Sequence, residues 1–103
     1  NVESVMEHFE HIKNLVGIDH VTFGPDTMYG DHVGFHHVLG SMMSLKKAFA
    51  VPKDDVSYVK GMENPTECSW NTVRWLVHHG YSDEDIRKVV GGNTIRVLRE
   101  VWY

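Results

Sequence analysis

The chain has 103 residues, which suits a single domain with a modest hydrophobic core. Its formal net charge at pH 7 is -4, and 42% of its residues are hydrophobic. Proteins that bind nucleic acid or anionic membrane surfaces carry clustered Lys and Arg, so this composition argues against both kinds of partner. No apolar run reaches the ~18 residues of a membrane span. The single cysteine excludes an internal disulfide, and with no signal peptide at the start it favours a cytoplasmic location if residue 1 is the natural start.

The N-terminal third predicts a helix followed by a strand. Gly17 is placed to end the helix, and residues 20–24 then change to the composition and alternation of a strand. From Pro25 to Gly34 the sequence is turn-rich. The predicted helix has one apolar face with spacings of three and four, formed by Val2, Val5, Met6, Phe9, Ile12, Leu15 and Val16.

The rest of the chain predicts helices. Residues 36–49 suit a helix interrupted by Gly40, and residues 50–63 suit an irregular stretch with a short extended part at 56–59. Asn64 is a predicted N-cap, with Pro65 at the first helical position and a stop near Gly80. Two further helices should follow, one begun by Ser82 and ended at Gly91-Gly92, the other capped by Asn93. Their predicted inner residues are Ile86, Val89 and Val90 in the first and Ile95, Leu98, Val101 and Trp102 in the second.

A single strand of this kind needs neighbours. An isolated strand leaves unpaired N–H and C=O groups on both edges, and residues 20–24 are apolar on both faces, as in a parallel strand covered by helices. The predicted fold class is therefore α/β, mostly helical by content, with partner strands supplied by another chain or by a preceding segment. Asp26 lies just after the strand, where α/β barrels place their chemistry, and it is the candidate catalytic residue. The alternative is a turn residue after proline.

Four segments resemble the membrane (renal-type) dipeptidase family of the amidohydrolase superfamily. Residues 12–26 (IKNLVGIDHVTFGPD) resemble the last barrel strand of that family, whose pattern there is GxDHVGFGxD. Residues 61–64 (GMEN) look like its GLED segment. Residues 80–86 (GYSDEDI) and 91–98 (GGNTIRVL) are similar to its closing helices. The chain therefore resembles the C-terminal segment of a family member, over essentially its whole length.

The resemblance implies a (β/α)8 TIM barrel that hydrolyses dipeptides with two zinc ions, and dimers of the complete protein. The family's metal ligands all lie upstream of this segment, so no metal ligand is expected within this chain, which should be inactive alone. Only one functional residue carries over, the aspartate after the last strand, which falls on Asp26. In the family it lies beside the metal-activated water and manages its proton. The chain departs from the family at residues 27–30, where a second aspartate is common, and its loop over residues 31–59 looks longer.

Histidines in this loop are the other candidate site residues. His32 and His36 are candidate substrate contacts, although a polar surface loop explains them as well. With His37 they also suggest an alternative function as a metal-binding module, but their spacing matches no zinc motif. A second alternative is a small helical interaction module without catalysis, completed by self-association or by a partner.

The remaining conspicuous side chains have structural interpretations. His20 is expected to be packed or hydrogen-bonded, and the His78-His79 pair suits the negative end of a helix dipole. Cys68 lies in the first turn of a helix, where a thiol pKa can fall, but no partner base is evident. The three tryptophans are expected to pack between helices; they are Trp70, Trp75 and Trp102.

Overall fold

The computed structural model describes residues 1–31, 34–35, 38–39 and 59–102. Within these ranges the chain is mostly helical. None of the described helices combines the length and the apolar composition that crossing a membrane requires. The elements in chain order are helix α1 (Val2–Val16), a 3-10 turn (Ile18–His20), helix α2 (Pro65–His78), the short helix α3 (Asp83–Arg87), a π-helical segment (Lys88–Gly92) and helix α4 (Asn93–Val101).

Helix α1 ends where its sequence predicts. Asn1 begins it, because its side-chain oxygen accepts a hydrogen bond from the Ser4 N–H at 3.1 Å. Gly17 ends it with φ 86°, a backbone conformation that glycine adopts without steric cost, and its N–H donates to the Lys13 carbonyl at 2.8 Å. Only the N-terminal half of the apolar face is buried, at Met6 and Phe9. Ile12, Leu15 and Val16 are exposed.

Helix α2 packs against the buried half of α1. The Asn64 side chain accepts a hydrogen bond from the Glu67 N–H at 3.0 Å, and Pro65 occupies the first turn, so the predicted N-cap is confirmed. The Phe9 and Trp75 rings meet edge to face at 6.5 Å between centroids, a favoured aromatic arrangement. Among the described residues, six buried side chains form one core cluster, namely Met6, Phe9, Val21, Trp75, Leu76 and Val89.

The last two helices are joined by a kink rather than by a loop. Ser82 caps α3 as predicted, because its Oγ accepts the Asp85 N–H at 3.1 Å. Gly91 has φ 148° inside the π-helical segment, and a Cβ on Gly92 would lie 2.8 Å from the Arg87 carbonyl oxygen. The two glycines therefore allow the chain to run on directly into α4. Asn93 is the first residue of α4 and does not cap it with its side chain, so that prediction was wrong.

The predicted strand at residues 20–24 is not formed. His20 ends the 3-10 turn, and Val21 is extended at φ -118° and ψ 137°, but no residue in the described ranges pairs with it in a sheet. The Phe23 N–H instead donates to the Val89 carbonyl at 3.0 Å. Alternation and β-branched residues indicate an extended backbone, whereas a strand also requires a neighbouring strand, and here helical backbone occupies that position.

Several predicted inner positions are also exposed. Val90 on the π-helical segment lies at the surface, and so does the predicted stripe of α4, with Trp102 76% exposed. Of the three tryptophans only Trp75 is packed, since Trp70 is exposed as well. The periodicity marks a face correctly, but nothing in the described part of the chain covers it. The predicted helix at 36–49 and the extended stretch at 56–59 fall almost entirely outside the described residues.

Candidate functional site

Asp26 lies on the surface, after an extended stretch that α4 and the π-helical segment hold. It is exposed, and its φ of 46° makes it the one non-glycine residue with positive φ within the described ranges. Aspartate enters this left-handed region more readily than most residues, at some cost in backbone energy. Pro25 fixes its own φ and restricts Gly24 before it. The carboxylate therefore projects from a conformationally restricted turn.

The backbone leading to Asp26 is fixed by the start of α4. The Asn93 side chain is buried, and its Nδ2 donates to the carbonyls of Ile18 and Val21, each at 2.8 Å. Arg96 adds a bond from Nη2 to the Asp19 carbonyl at 2.8 Å. Three carbonyls of the stretch from residue 18 to residue 21 thus accept hydrogen bonds from side chains of α4.

The π-helical segment holds the same stretch from its other side. In addition to the bond from the Phe23 N–H, the Lys88 Nζ lies 2.9 Å from a carboxylate oxygen of Asp19. The hydrogen bond with Lys88 lowers the pKa of Asp19, and the same bond raises the pKa of Lys88. This ion pair is exposed to solvent, so it contributes orientation more than stability.

The chain beyond Asp26 is tied to the start of α2. The hydroxyls of Tyr29 and Thr66 form a hydrogen bond. Asp31 follows, and its Oδ1 accepts the Gly34 N–H at 2.9 Å. The candidate substrate contacts His32 and His36 lie outside the described residues, as does His37, so the predictions for them stay predictions. No group of three or more His, Cys, Asp or Glu side chains in the described ranges is arranged to hold a metal ion.

A groove of about 780 Å³ lies elsewhere, between α1 and the end of α2. Its aromatic wall is Trp75, on which the His79 ring stacks at 3.6 Å, and the Trp75 Nε1 donates to Glu3 at 2.7 Å. Asp26 does not line this groove. Two of the groove's acidic side chains have a basic neighbour, since Glu10 lies 2.5 Å from Lys13 and Glu3 lies 3.9 Å from His79. The lining residues are Glu3, Glu7, Glu10, His11, Lys13, Asn14, Trp75, His79, Gly80, Tyr81 and Asp85.

A partly buried polar cluster of Glu10, Lys13 and Tyr81 forms part of the lining of this groove. Lys13 donates to Glu10 at 2.5 Å and to the Tyr81 hydroxyl at 2.7 Å, and that hydroxyl in turn donates to Glu10. Burial acts to raise the pKa of Glu10, but the bonds from Lys13 and Tyr81 outweigh it, so the pKa lies below its ordinary value. Burial and the bond to Glu10 raise the pKa of Tyr81. The cluster is a satisfied structural unit that joins α1 to the start of α3.

The structure also shows the surroundings of three other conspicuous side chains, Cys68, His20 and His79. Burial raises the pKa of the Cys68 thiol, and this keeps it neutral and unreactive, as expected for a structural cysteine. His20 is exposed rather than packed, so that prediction was wrong. His79 follows the last residue of α2, and its Nδ1 lies 2.9 Å from the Trp75 carbonyl, in agreement with a structural role.

The model of the membrane dipeptidase family (peptidase family M19) matches residues 53–102. A curated relative named dipeptidase tcpJ, from Claviceps purpurea, is 31% identical over 100 residues. That alignment covers 97% of this chain and 17% of the relative, so the chain spans about a sixth of that protein's length. No solved structure matches the chain significantly.

These matches confirm the resemblance to the membrane dipeptidase family, and three of the four segments, residues 61–64, 80–86 and 91–98, lie within the family match. The family match includes the buried faces of α2 and the whole region from α3 to α4. Asn93 falls within it, and sequence reasoning assigned that residue only to a helix cap. The available signal was the pair of glycines before it, which allows the backbone to run on into α4.

Proposed function

We propose that this chain is the C-terminal segment of a zinc-dependent dipeptidase built on a (β/α)8 barrel, and that Asp26 is its contribution to catalysis. The observation that carries the proposal is the family match over residues 53–102, which comprises the helices that hold the backbone before Asp26. The metal ligands and most of the substrate site would then lie in other parts of the complete protein. The isolated chain is expected to be inactive.

The proposed chemistry of Asp26 is proton transfer. Zinc bound by the complete enzyme would lower the pKa of a water molecule and so supply a nucleophile at neutral pH. Asp26 would accept the proton of that water and return it to the leaving amine, the ordinary cycle of a general base that becomes a general acid. An exposed carboxylate on a restricted turn suits this role, because the group must reach the reacting atoms without competing partners.

The substrate and assembly follow as proposals of the same kind. A dipeptide is the substrate class that the family suggests, and His32 and His36 remain candidate contacts to it. The exposed apolar faces of α1 and α4 would be covered by the rest of the barrel or by a second copy of the chain. That exposure also favours the second candidate function, an interaction module without catalysis, whose apolar faces would bind a partner protein.

Asp26→Asn in the complete protein tests the proposal. The substitution preserves shape and removes the proton acceptor, so we expect kcat for dipeptide hydrolysis to fall by roughly 10²–10⁴ with zinc content unchanged. Asp83→Asn is a matched control, because Asp83 is an exposed aspartate in the first turn of α3, away from this segment, and it should keep wild-type activity.

Three results would count against the proposal. Loss of bound zinc in Asp26→Asn would make Asp26 a ligand. Activity within about threefold of wild type would return Asp26 to the role of a turn residue. A complete protein that hydrolyses no dipeptide would favour the interaction module.

A further inference from the structure

The amide of Asn93 stands out among the polar groups that the proposed chemistry does not use. It is 6% exposed, it belongs to α4, and both of its hydrogen bonds cross to backbone more than seventy residues away. Those bonds end on Ile18 and Val21, at the beginning of the stretch that carries Asp26. A buried side-chain amide that bridges two carbonyls is costly to misplace, since each carbonyl then loses its partner inside the protein.

We propose that Asn93 is a positioning residue for Asp26: its amide holds the 3-10 turn and the extended stretch against α4, and this sets where the carboxylate lies. The inference rests on the catalytic role of Asp26 proposed above. Asn93 does not touch the reacting atoms, so its effect on the reaction passes through the backbone.

The backbone between Val21, which Asn93 binds, and Asp26 has little conformational freedom. The Val21 carbonyl is bound by Asn93, and two residues later the Phe23 N–H is bound by Val89. Gly24 is the one residue between that anchor and Pro25, and proline narrows its backbone range. Displacing the Val21 carbonyl therefore displaces Asp26, whereas in a flexible loop the movement would be absorbed.

The neighbouring bonds do not replace Asn93. Arg96 binds the Asp19 carbonyl, but it is exposed and water can substitute for its guanidinium. The Thr94 hydroxyl donates to the Thr22 hydroxyl at 3.3 Å, which is a long hydrogen bond exposed to solvent. Asn93 is the member of this set that is buried and that donates twice, so it is the one whose loss water does not repair.

The test uses the complete enzyme with Asn93→Asp, which keeps the shape of the side chain and replaces its two donors with an acceptor. Asn71→Asp is the matched control, because the Asn71 Nδ2 donates to the Gly61 carbonyl at 2.7 Å, a hydrogen bond that does not involve residues 18–26. Hydrogen exchange of peptides covering residues 18–26 reports directly whether the Asn93 amide holds this backbone. This measurement does not depend on enzymatic activity. Steady-state kinetics and zinc content report the consequence for catalysis.

We expect exchange in residues 18–26 to speed up at least tenfold in Asn93→Asp and to stay unchanged in Asn71→Asp. We expect kcat to fall by roughly ten- to a hundredfold with KM within about twofold, the scale of a misplaced catalytic group. A general loss of stability would instead raise exchange throughout α1 and α2 and lower the amount of active enzyme in both variants.

Unchanged exchange in residues 18–26 would overturn the inference, and so would faster exchange with wild-type kcat in an enzyme that Asp26→Asn inactivates. If Asp26→Asn itself keeps full activity, the proposed function loses its catalytic residue and positioning by Asn93 falls with it. The exchange measurement then still shows whether Asn93 holds residues 18–26, independently of whether Asp26 is catalytic.

Discussion

Two regions of this protein are held together by different forces. Between α1 and α2, apolar side chains such as Met6 and Leu76 are fully buried and the contact depends on packing. Around the Asp26 stretch, Val21 adds a side chain to the same core, but the backbone itself is held by a buried amide and single hydrogen bonds. Packing contributes stability roughly in proportion to buried area, whereas a hydrogen bond contributes little net free energy but has strict geometry. The first region should therefore govern stability, and the second the position of a functional group.

The largest effect on stability is expected in the packed region. Leu76→Ala should lower the free energy of unfolding by roughly 2–5 kcal/mol, because a fully buried leucine loses its contacts and leaves a cavity. Urea unfolding measures this. Val77→Ala is the matched control on the next residue of α2, where the side chain is exposed and a change of less than ~0.5 kcal/mol is expected. Equal losses in the two variants would show that the described core does not carry the fold.

An intermediate effect is expected at the kink beside the Asp26 stretch. Gly92→Ala should cost roughly 1–3 kcal/mol, because its Cβ would lie 2.8 Å from the rigid Arg87 carbonyl oxygen. The shift should also move Asn93 and so lower the activity of the complete enzyme. Gly24→Ala is the control, since nothing lies within 4 Å of that Cβ and its φ is not in the left-handed region. Thermal unfolding should show Gly24→Ala at or above wild-type stability.

The smallest effect is expected from the polar cluster of Glu10, Lys13 and Tyr81. The pKa of Glu10 is lowered in the folded protein, so its stabilising contribution is present above the unfolded pKa of about 4.3 and is lost as pH falls through the lower folded value. The pKa of Lys13 is raised, because its bonds to Glu10 and Tyr81 outweigh the opposing effect of burial. Its contribution is therefore present below about 10.4 and is lost as pH rises through the folded value.

Glu10→Gln should therefore lower stability by about 0.5–1 kcal/mol between pH 5 and pH 10 and by progressively less below pH 4. Urea unfolding across this pH range measures the difference. The exposed pair of Arg96 and Glu100, at 3.5 Å, provides the comparison, and Glu100→Gln should make no measurable change. A difference that persisted at pH 2 would mean that the charge of Glu10 is not its source.

Local sequence signals were sufficient for most of the helix boundaries, although not for the start of α4. Asn64 and Ser82 cap helices as predicted, and Gly17 ends α1. Such signals act within four residues, between a side chain and the backbone groups that a helix end leaves unpaired. The family resemblance was likewise present in short ordered segments, and the matches to known proteins confirm it. The catalytic role of Asp26 is still a prediction.

Long-range contacts settled what those signals left open. Residues 20–24 have the composition of a strand, yet the backbone there pairs with the π-helical segment, because pairing depends on which chain lies alongside. The stripe on α4 has the period of a buried face, yet burial depends on a partner that the described residues do not supply. Asn93 is of a residue type that often caps a helix, yet its amide binds the carbonyls of Ile18 and Val21, more than seventy residues away in the sequence. Sequence pattern determines what a residue is able to do locally, and tertiary contact determines which of those options is used.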